Sequence, residues 1–250
     1  MTKTVLITGS SRGLGAEIAL CFSKVGYNVI INYFQHPDLA NQLVNKIGST
    51  KAMAIKADVR NRAEVDTMTH KIIQRFGSID TVINNALVGF KFDPIAQKSF
   101  EKLTWSDYQN QLDGTLKGAF NVIQSVLPIM KKQHAGHIVS IGTNLYQNPV
   151  VAYHEYTTAK AAIIGFSRNL AVELGKHGIT VNVVSGGLLK VTDASSVTTP
   201  EVFKMIQSNT PLGQVTTPQD VARAVVFLGS DNANGITGQN VTVDGGLTIN

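Results

Sequence analysis

Short apolar runs alternate along this chain with longer stretches in which apolar residues recur every three or four positions, the periods of strand and helix respectively. The β-branched run 4–8 (TVLIT) stops at Gly9. Residues 13–25 predict a helix with Leu14, Ile18 and Phe22 on one face. Further strands are expected at 28–33, 53–59, 79–85, 137–142 and 179–185. Helices are expected at 37–48, 62–76, about 105–130 and 153–177. Thr104 is placed to cap the first long helix, with Asp107 as a carboxylate in its first turn. The rhythm changes after 185: residues 186–199 are rich in Gly, Ser and Thr and read as a loop. Thr199-Pro200 and Thr217-Pro218 start two more helices, and 238–244 is a last strand.

Strands separated by helices, with neither linker nor repeat, imply parallel βαβ units. The expected fold class is α/β: a Rossmann-like doubly wound parallel sheet of about seven strands with helices on both faces, residues 1–250 forming one domain. With 43% hydrophobic and 16% charged residues, the chain can build a sizeable core, which excludes a disordered or collagen-like polymer. A single cysteine, Cys21, excludes an internal disulfide framework and a zinc-finger cluster and suits a reducing compartment. The opening residues, MTKTVLITGSS, carry no secretory pattern, and no window is long and apolar enough to span a membrane, so a cytoplasmic protein is expected. The net charge of +5 is spread over scattered cations, the longest basic run being Lys131-Lys132. This is a solvated basic surface rather than a nucleic-acid arm.

The glycines acquire meaning from their placement. Gly9, Gly13 and Gly15, in Thr8-Gly9-Ser10-Ser11-Arg12-Gly13-Leu14-Gly15, lie between the first strand and the first helix. Gly9 permits a tight turn, Gly13 lets a phosphate approach the backbone, and Gly15 lets the helix pack close to the sheet. The helix N-terminus offers amide N–H groups and partial positive charge to a pyrophosphate. The spacing is G-x-x-x-G-x-G rather than G-x-G-x-x-G, and dinucleotide binding is the expected use, with Ser11, Arg12 and Leu14 in the loop. The second strand ends Asn32-Tyr33-Phe34 without the acid that would grip a ribose 2′-hydroxyl, the next being Asp38. Arg12 can instead face a 2′-phosphate, so NADP(H) is expected over NAD(H).

Tyr156 and Lys160 stand four apart on the second long helix and share a face. A cation beside a phenol favours its anion, turning an otherwise weak acid into a usable proton donor and acceptor. The six histidines lack Cys or carboxylate companions at metal-ligand intervals, so no metal is expected, and His154 is placed at the rim of the site.

Taken in order, Thr8–Gly15, Asp58-Val59, Asn84-Asn85-Ala86, Tyr156-x-x-x-Lys160, Pro211-Leu212-Gly213 and Gly238-Gln239 with Asp244-Gly245-Gly246 resemble the short-chain dehydrogenase/reductase family over nearly the whole chain. Within that family the chain looks most like the 3-oxoacyl-[acyl-carrier-protein] reductases. The resemblance implies that Asp58 bonds the adenine amino group with Val59 behind the ring, that Asn84 and Ala86 line the ribose, and that Tyr156 protonates the substrate carbonyl. Lys160 would also hold the nicotinamide ribose. It further implies a homotetramer and a carrier-protein-linked acyl substrate, for which a basic surface suits an acidic carrier.

Several positions depart from the family pattern. Thr143 replaces the substrate-orienting Ser, keeping the hydroxyl and adding a methyl. Thr115 replaces the helix Asn that holds a proton-relay water, with Gln111 one turn earlier as a substitute. Leu87 replaces a Gly. Gly186-Gly187 replaces Pro-Gly in the nicotinamide loop, and Val191 stands where a carboxamide-contacting Thr is usual, with Thr192 one position on. Leu188, Leu189, Val197, Phe203 and Met205 suggest an apolar substrate lining. The leading expectation is NADPH-dependent reduction of a 3-oxoacyl thioester. The alternatives are the same chemistry on another ketone, sugar or steroid, and an NADP(H)-binding sensor or non-catalytic subunit, which the changes at Thr115 and Val191 favour.

Overall fold

The computed structural model describes every residue except Met1, Lys91, 94–96, Val191, 193–194 and Asn250. Seven parallel strands form one sheet: β1 (Thr4–Ile7), β2 (Asn28–Tyr33), β3 (Ala52–Lys56), β4 (Thr81–Asn84), β5 (Gly136–Thr143), β6 (Ile179–Gly186) and β7 (Asn240–Val243), in the order β3-β2-β1-β4-β5-β6-β7. Helices α1 (Gly13–Lys24), α2 (Pro37–Ile47) and α8 (Pro218–Leu228) cover one face; α3 (Arg62–Phe76), α5 (Gly118–Gln133) and α6 (His154–Leu174) cover the other. α4 (Trp105–Leu112) leads into α5, and α7 (Pro200–Asn209) follows the loop after β6.

Side-chain alternation in the central strands divides the core. Val5, Ile7, Val29 and Ile31 join Ile18, Phe22, Leu43 and Val225 on the α1/α2/α8 side. Leu6, Ile30 and Val82 join Met68, Ile72, Val126 and Met130 on the other. Because both faces are covered, the strands read as continuous apolar runs rather than alternating ones. Each fully buried Leu or Ile contributes roughly 1.5–3 kcal/mol relative to exposure.

Several expected boundaries move, with reasons. β3 ends at Lys56; the Ala57 amide still donates to Tyr33 O at 3.0 Å, and the strand does not extend to 59. β4 is only Thr81–Asn84, because Asn85 and Ala86 bond back to Thr8. The first long helix starts as expected, with Thr104 and Asp107 forming a capping box. It is not uniform, however: a π-turn over Asp113–Lys117 separates α4 from α5, which runs on to Gln133. The second long helix is α-helical over His154–Leu174 and closes with a 3-10 turn.

The strand order reverses between β1 and β4, whose chains leave the sheet toward helices on opposite faces. A crevice therefore opens beyond their carboxyl ends, the usual ligand position in such sheets.

Candidate active site

The crevice is a cavity of about 1190 Å³ running from the glycine turn to α7. At one end, Gly9 (φ +60°) and Gly13 (φ +56°) take left-handed backbone conformations that favour glycine. A Cβ on Gly9 would lie 2.9 Å from Ala86 Cα, so the turn is pressed against the chain leaving β4. A Cβ on Gly15 would lie 2.6–2.7 Å from Asn85 Nδ2, Gly9 O and Ser10 Cα. Gly15 thus permits packing against the turn itself, rather than against the sheet as the sequence suggested. A Cβ on Gly13 would meet nothing within 4 Å, which leaves its backbone open for close approach.

The turn is held rigidly. Gly9 N–H donates to Asn32 Oδ1 at 3.0 Å, and Asn32 Nδ2 donates to Ala57 O at 3.0 Å. Asn85 Nδ2 donates to the carbonyls of Thr8 and Gly9, while Thr8 Oγ1 accepts from the amides of Asn85 and Ala86. Arg12 is the N-cap of α1 with an extended backbone and no side-chain cap bond, and the first turn carries no acid. The helix dipole and its first amides therefore face the cavity without a competing carboxylate.

Two residues expected at the cofactor do not line the cavity. Asn32 is 2% exposed, and its carboxamide is consumed in pinning the turn. Asn84, paired in register with Ser140, donates to Ser140 Oγ at 3.2 Å inside the sheet. Ser11, Arg12, Leu14, Tyr33, Asp58, Val59 and Ala86 do line it. Phe34, Gln35 and His36 extend that rim. The Asp58 carboxylate accepts from Arg60 Nε and Nη2 at 2.7–3.1 Å, which holds it below the usual carboxylate range. Arg60 in turn lies 5.8 Å from the Phe34 ring centroid.

At the other end, β5 delivers Thr143 and α6 delivers Tyr156 and Lys160, all buried. The sequence led us to expect an ammonium that eases ionisation of the phenol. The structure shows a different balance. Burial pushes the Tyr156 phenol up to about 12, opposed only by its hydrogen bond with Thr143. Burial also pulls Lys160 down to about 8. Its Nζ donates to Ile141 O at 2.7 Å and sits 5.9 Å from the Tyr156 ring centroid. Burial thus works against the charged form of both groups.

Behind this pair is a small void of about 10 Å³ lined by Asn84, Thr115, Ser140 and Lys160. Asn84 Oδ1 and Thr115 Oγ1 have no protein partner. Gln111, expected one turn earlier on the same face, does not line this void: its Nε2 donates to Val88 O at 3.1 Å.

Leu87, Gly186, Gly187 and Thr192 line the cavity; Val191 lies outside the described residues. A Cβ on Gly187 would lie 3.0 Å from Asp244 Cβ, so the second glycine of the pair answers a close approach to the residue that follows β7. Leu188, Leu189, Val197 and Met205 line the substrate half as expected, but Phe203 does not. The lining face of α7 is Val202, Met205, Ile206 and Asn209, at helical spacings that exclude 203. His154 packs near Phe100, with ring centroids 5.6 Å apart, and is not at the cavity.

Sequence reasoning missed the aromatic residues around Tyr156. Phe90 stacks on its ring at 4.1 Å and 11°, with Phe92 and Tyr153 edge-on around them. The alternation of Phe90 and Phe92 shortly after Asn84-Asn85-Ala86 was the available signal.

The family described as Enoyl-(Acyl carrier protein) reductase matches residues 9–248. The chain is 37% identical to the 3-oxoacyl-[acyl-carrier-protein] reductase FabG of Staphylococcus aureus (strain Mu50), covering 99% of this chain and 98% of that one. It is 33% identical to the 3-oxoacyl-[acyl-carrier-protein] reductase of Synechocystis (99% and 97% covered). It is 31% identical to the 7alpha-hydroxysteroid dehydrogenase of Escherichia coli K12 (98% and 93% covered).

Proposed function

Because the chain belongs to the short-chain dehydrogenase/reductase family, we propose that it reduces the ketone of a 3-oxoacyl thioester to the alcohol with NADPH. One observation carries this reading: Tyr156, Thr143 and Lys160 converge at one end of a single cavity whose other end is the open glycine turn. The full-length similarity to two 3-oxoacyl-[acyl-carrier-protein] reductases supports the thioester as substrate. We take residues 1–250 as one unit carrying both cofactor and substrate halves, working in the cytoplasm. Among the described residues no helix is long and apolar enough to cross a membrane.

The residues present fit a dinucleotide. Gly13 leaves open space where a Cβ would otherwise stand, and the uncapped first turn of α1 suits a pyrophosphate. Asp58, with Val59 beside it, rims the adenine end, and Ala86 and Leu87 border the path to Lys160. When bound, the nicotinamide supplies the hydride. The chain's own part is to place and protonate the carbonyl. Tyr156, kept protonated by burial, is in the form that donates a proton to the developing alkoxide, and Thr143 Oγ1 orients the same oxygen. Lys160 is positioned to stabilise the phenolate left behind. The orphaned Asn84 Oδ1 and Thr115 Oγ1 suit a single water bonded also to Lys160, by which the pair regains its proton.

Arg12 and the acid-free rim Tyr33–His36 favour a 2′-phosphate. NADPH should therefore bind at least about 10-fold more tightly than NADH, one charge-assisted contact being worth about 1.5–3 kcal/mol. Fluorescence titration of both cofactors checks this, and tighter NADH would overturn it. A carrier-linked acyl chain suits the basic surface, and self-association suits the exposed Trp105, Phe120 and Val172 on the long helices.

The test of function is NADPH oxidation with an acetoacetyl thioester and a panel of ketones. Thioester turnover supports the proposal. Turnover of ketones alone supports the second reading, which the steroid dehydrogenase similarity and the apolar lining favour. Tight NADPH binding without oxidation by any substrate points instead to a sensor or non-catalytic subunit.

A further inference from the structure

The aromatic residues around Tyr156 have no part in the mechanism above, yet they cover its ring. Phe90 lies nearly parallel to the Tyr156 ring, Phe92 stands edge-on to Phe90 and Tyr156 at 5.0 and 5.5 Å, and Tyr153 stands edge-on to Phe90 and Phe92 at 5.2 and 5.8 Å. The four rings form one apolar cluster with Leu145 and Val151. Tyr156 is left 5% exposed although it borders a cavity of about 1190 Å³.

The placement of Phe90 follows from its anchorage. Two residues earlier, the Val88 carbonyl accepts from Gln111 Nε2 at 3.1 Å. On the π-turn, Gly114 lets the helix come so close that a Cβ there would lie 2.7 Å from Val88 Cβ. Val88 is thus clasped by a buried carboxamide and a glycine, and the chain beyond it is delivered over Tyr156. Gln111 is accordingly a positioning residue that acts through Val88.

We propose that Phe90 is the specificity-determining residue of this site: its ring sets the width of the approach to the Tyr156 hydroxyl, admitting ketones with a slender chain beside the carbonyl and rejecting those flanked by fused rings. This rests on the reading of Tyr156 as proton donor to a carbonyl. The Phe90 side chain carries no polar atom, so its contribution is steric and aromatic. One methylene more or less in an apolar pocket changes selectivity by about 10- to 200-fold.

The experiment compares wild type, Phe90→Ala and Phe90→Trp in kcat/KM for an acetoacetyl thioester and for the bicyclic ketone 1-decalone. Phe90→Ala should raise the decalone-to-thioester ratio at least about 10-fold and Phe90→Trp should lower it. Parallel changes for both substrates, with the ratio unmoved, would overturn the proposal. A second measurement needs no turnover: acetylation of Tyr156 by N-acetylimidazole, read by peptide mass spectrometry against Tyr108 in the same sample. Loss of one stacked aromatic partner should accelerate it by about 2- to 10-fold, and an unchanged rate would overturn the proposal. Phe90→Leu replaces Phe90→Ala in both arms if the latter does not melt cooperatively. If wild type reduces neither substrate, the functional reading fails and the acetylation rate alone decides whether Phe90 covers Tyr156.

Discussion

Replacing Tyr156 by Phe is expected to lower kcat for reduction by about 10²- to 10⁴-fold, the range a single positioned proton donor supplies, while NADPH affinity stays within about 2-fold. The substitution removes one oxygen and leaves the ring. The stack with Phe90 and the edge contacts with Phe92 persist, so the cluster that seats residue 156 is retained. Thr143 loses a partner but still accepts the Leu145 amide at 3.3 Å. The glycine turn, pinned by Asn32 and Asn85 on other elements, is untouched. Steady-state kinetics with a fluorescence titration of NADPH check both halves. A variant retaining more than a tenth of wild-type kcat would remove Tyr156 as the donor.

Lys160→Met should separate stability from activity. Lys160 is 4% exposed, its ammonium donates to the Ile141 carbonyl, and among the described residues it has no carboxylate ion pair. Holding such a charge away from water costs the fold, and an apolar side chain of similar length relieves it by about 1–4 kcal/mol. Turnover should nevertheless fall at least about 100-fold, because the phenolate formed by Tyr156 loses its neighbouring cation. The pH dependence has a definite sign. The folded-state pKa of Lys160, about 8, lies below its ordinary value of 10.5, so the unfolded chain holds that proton more tightly. Wild-type stability therefore rises as pH increases from about 8 toward 10.5, and the advantage of the Met variant is largest below pH 8 and shrinks above it. Thermal melts of both proteins between pH 7 and 10 read this directly. A Met variant that melts lower at pH 7 would show that Lys160 is a structural tie instead.

Much of the fold was legible because its periods are unmixed. β-branched runs ended at glycines, and Thr104-Asp107 and Thr217-Pro218 each marked a helix start that the structure reproduces with a capping box. The glycine turn was legible for the same reason: its residue types have few other uses between a strand and a helix. Asparagine was the difficulty. In a parallel sheet covered on both faces, either side of a strand is buried, so a polar residue's role depends on which backbone groups it meets. Asn32 met the Gly9 amide and Asn84 met Ser140, whereas Asn85, outside the strand, clamped the turn. The phenol–ammonium pair could be read from helix spacing, whereas its burial could not, because spacing along a helix carries no information about solvent exclusion. That exclusion comes from Phe90 and Phe92, delivered from a segment more than 60 residues away in the chain. The π-turn was equally hidden: it adds a residue to the helix with no change in hydrophobic period that a short window would register.

The most direct measurement is a crystal structure of the protein soaked with NADP⁺. The pyrophosphate should lie against residues 9–15 at the start of α1. The nicotinamide should reach within about 5 Å of the Tyr156 hydroxyl, leaving room for a carbonyl at near-attack distances of about 3–3.5 Å. A dinucleotide bound with its nicotinamide remote from Tyr156, or away from the glycine turn altogether, would contradict the assignment of this cavity as the site of carbonyl reduction.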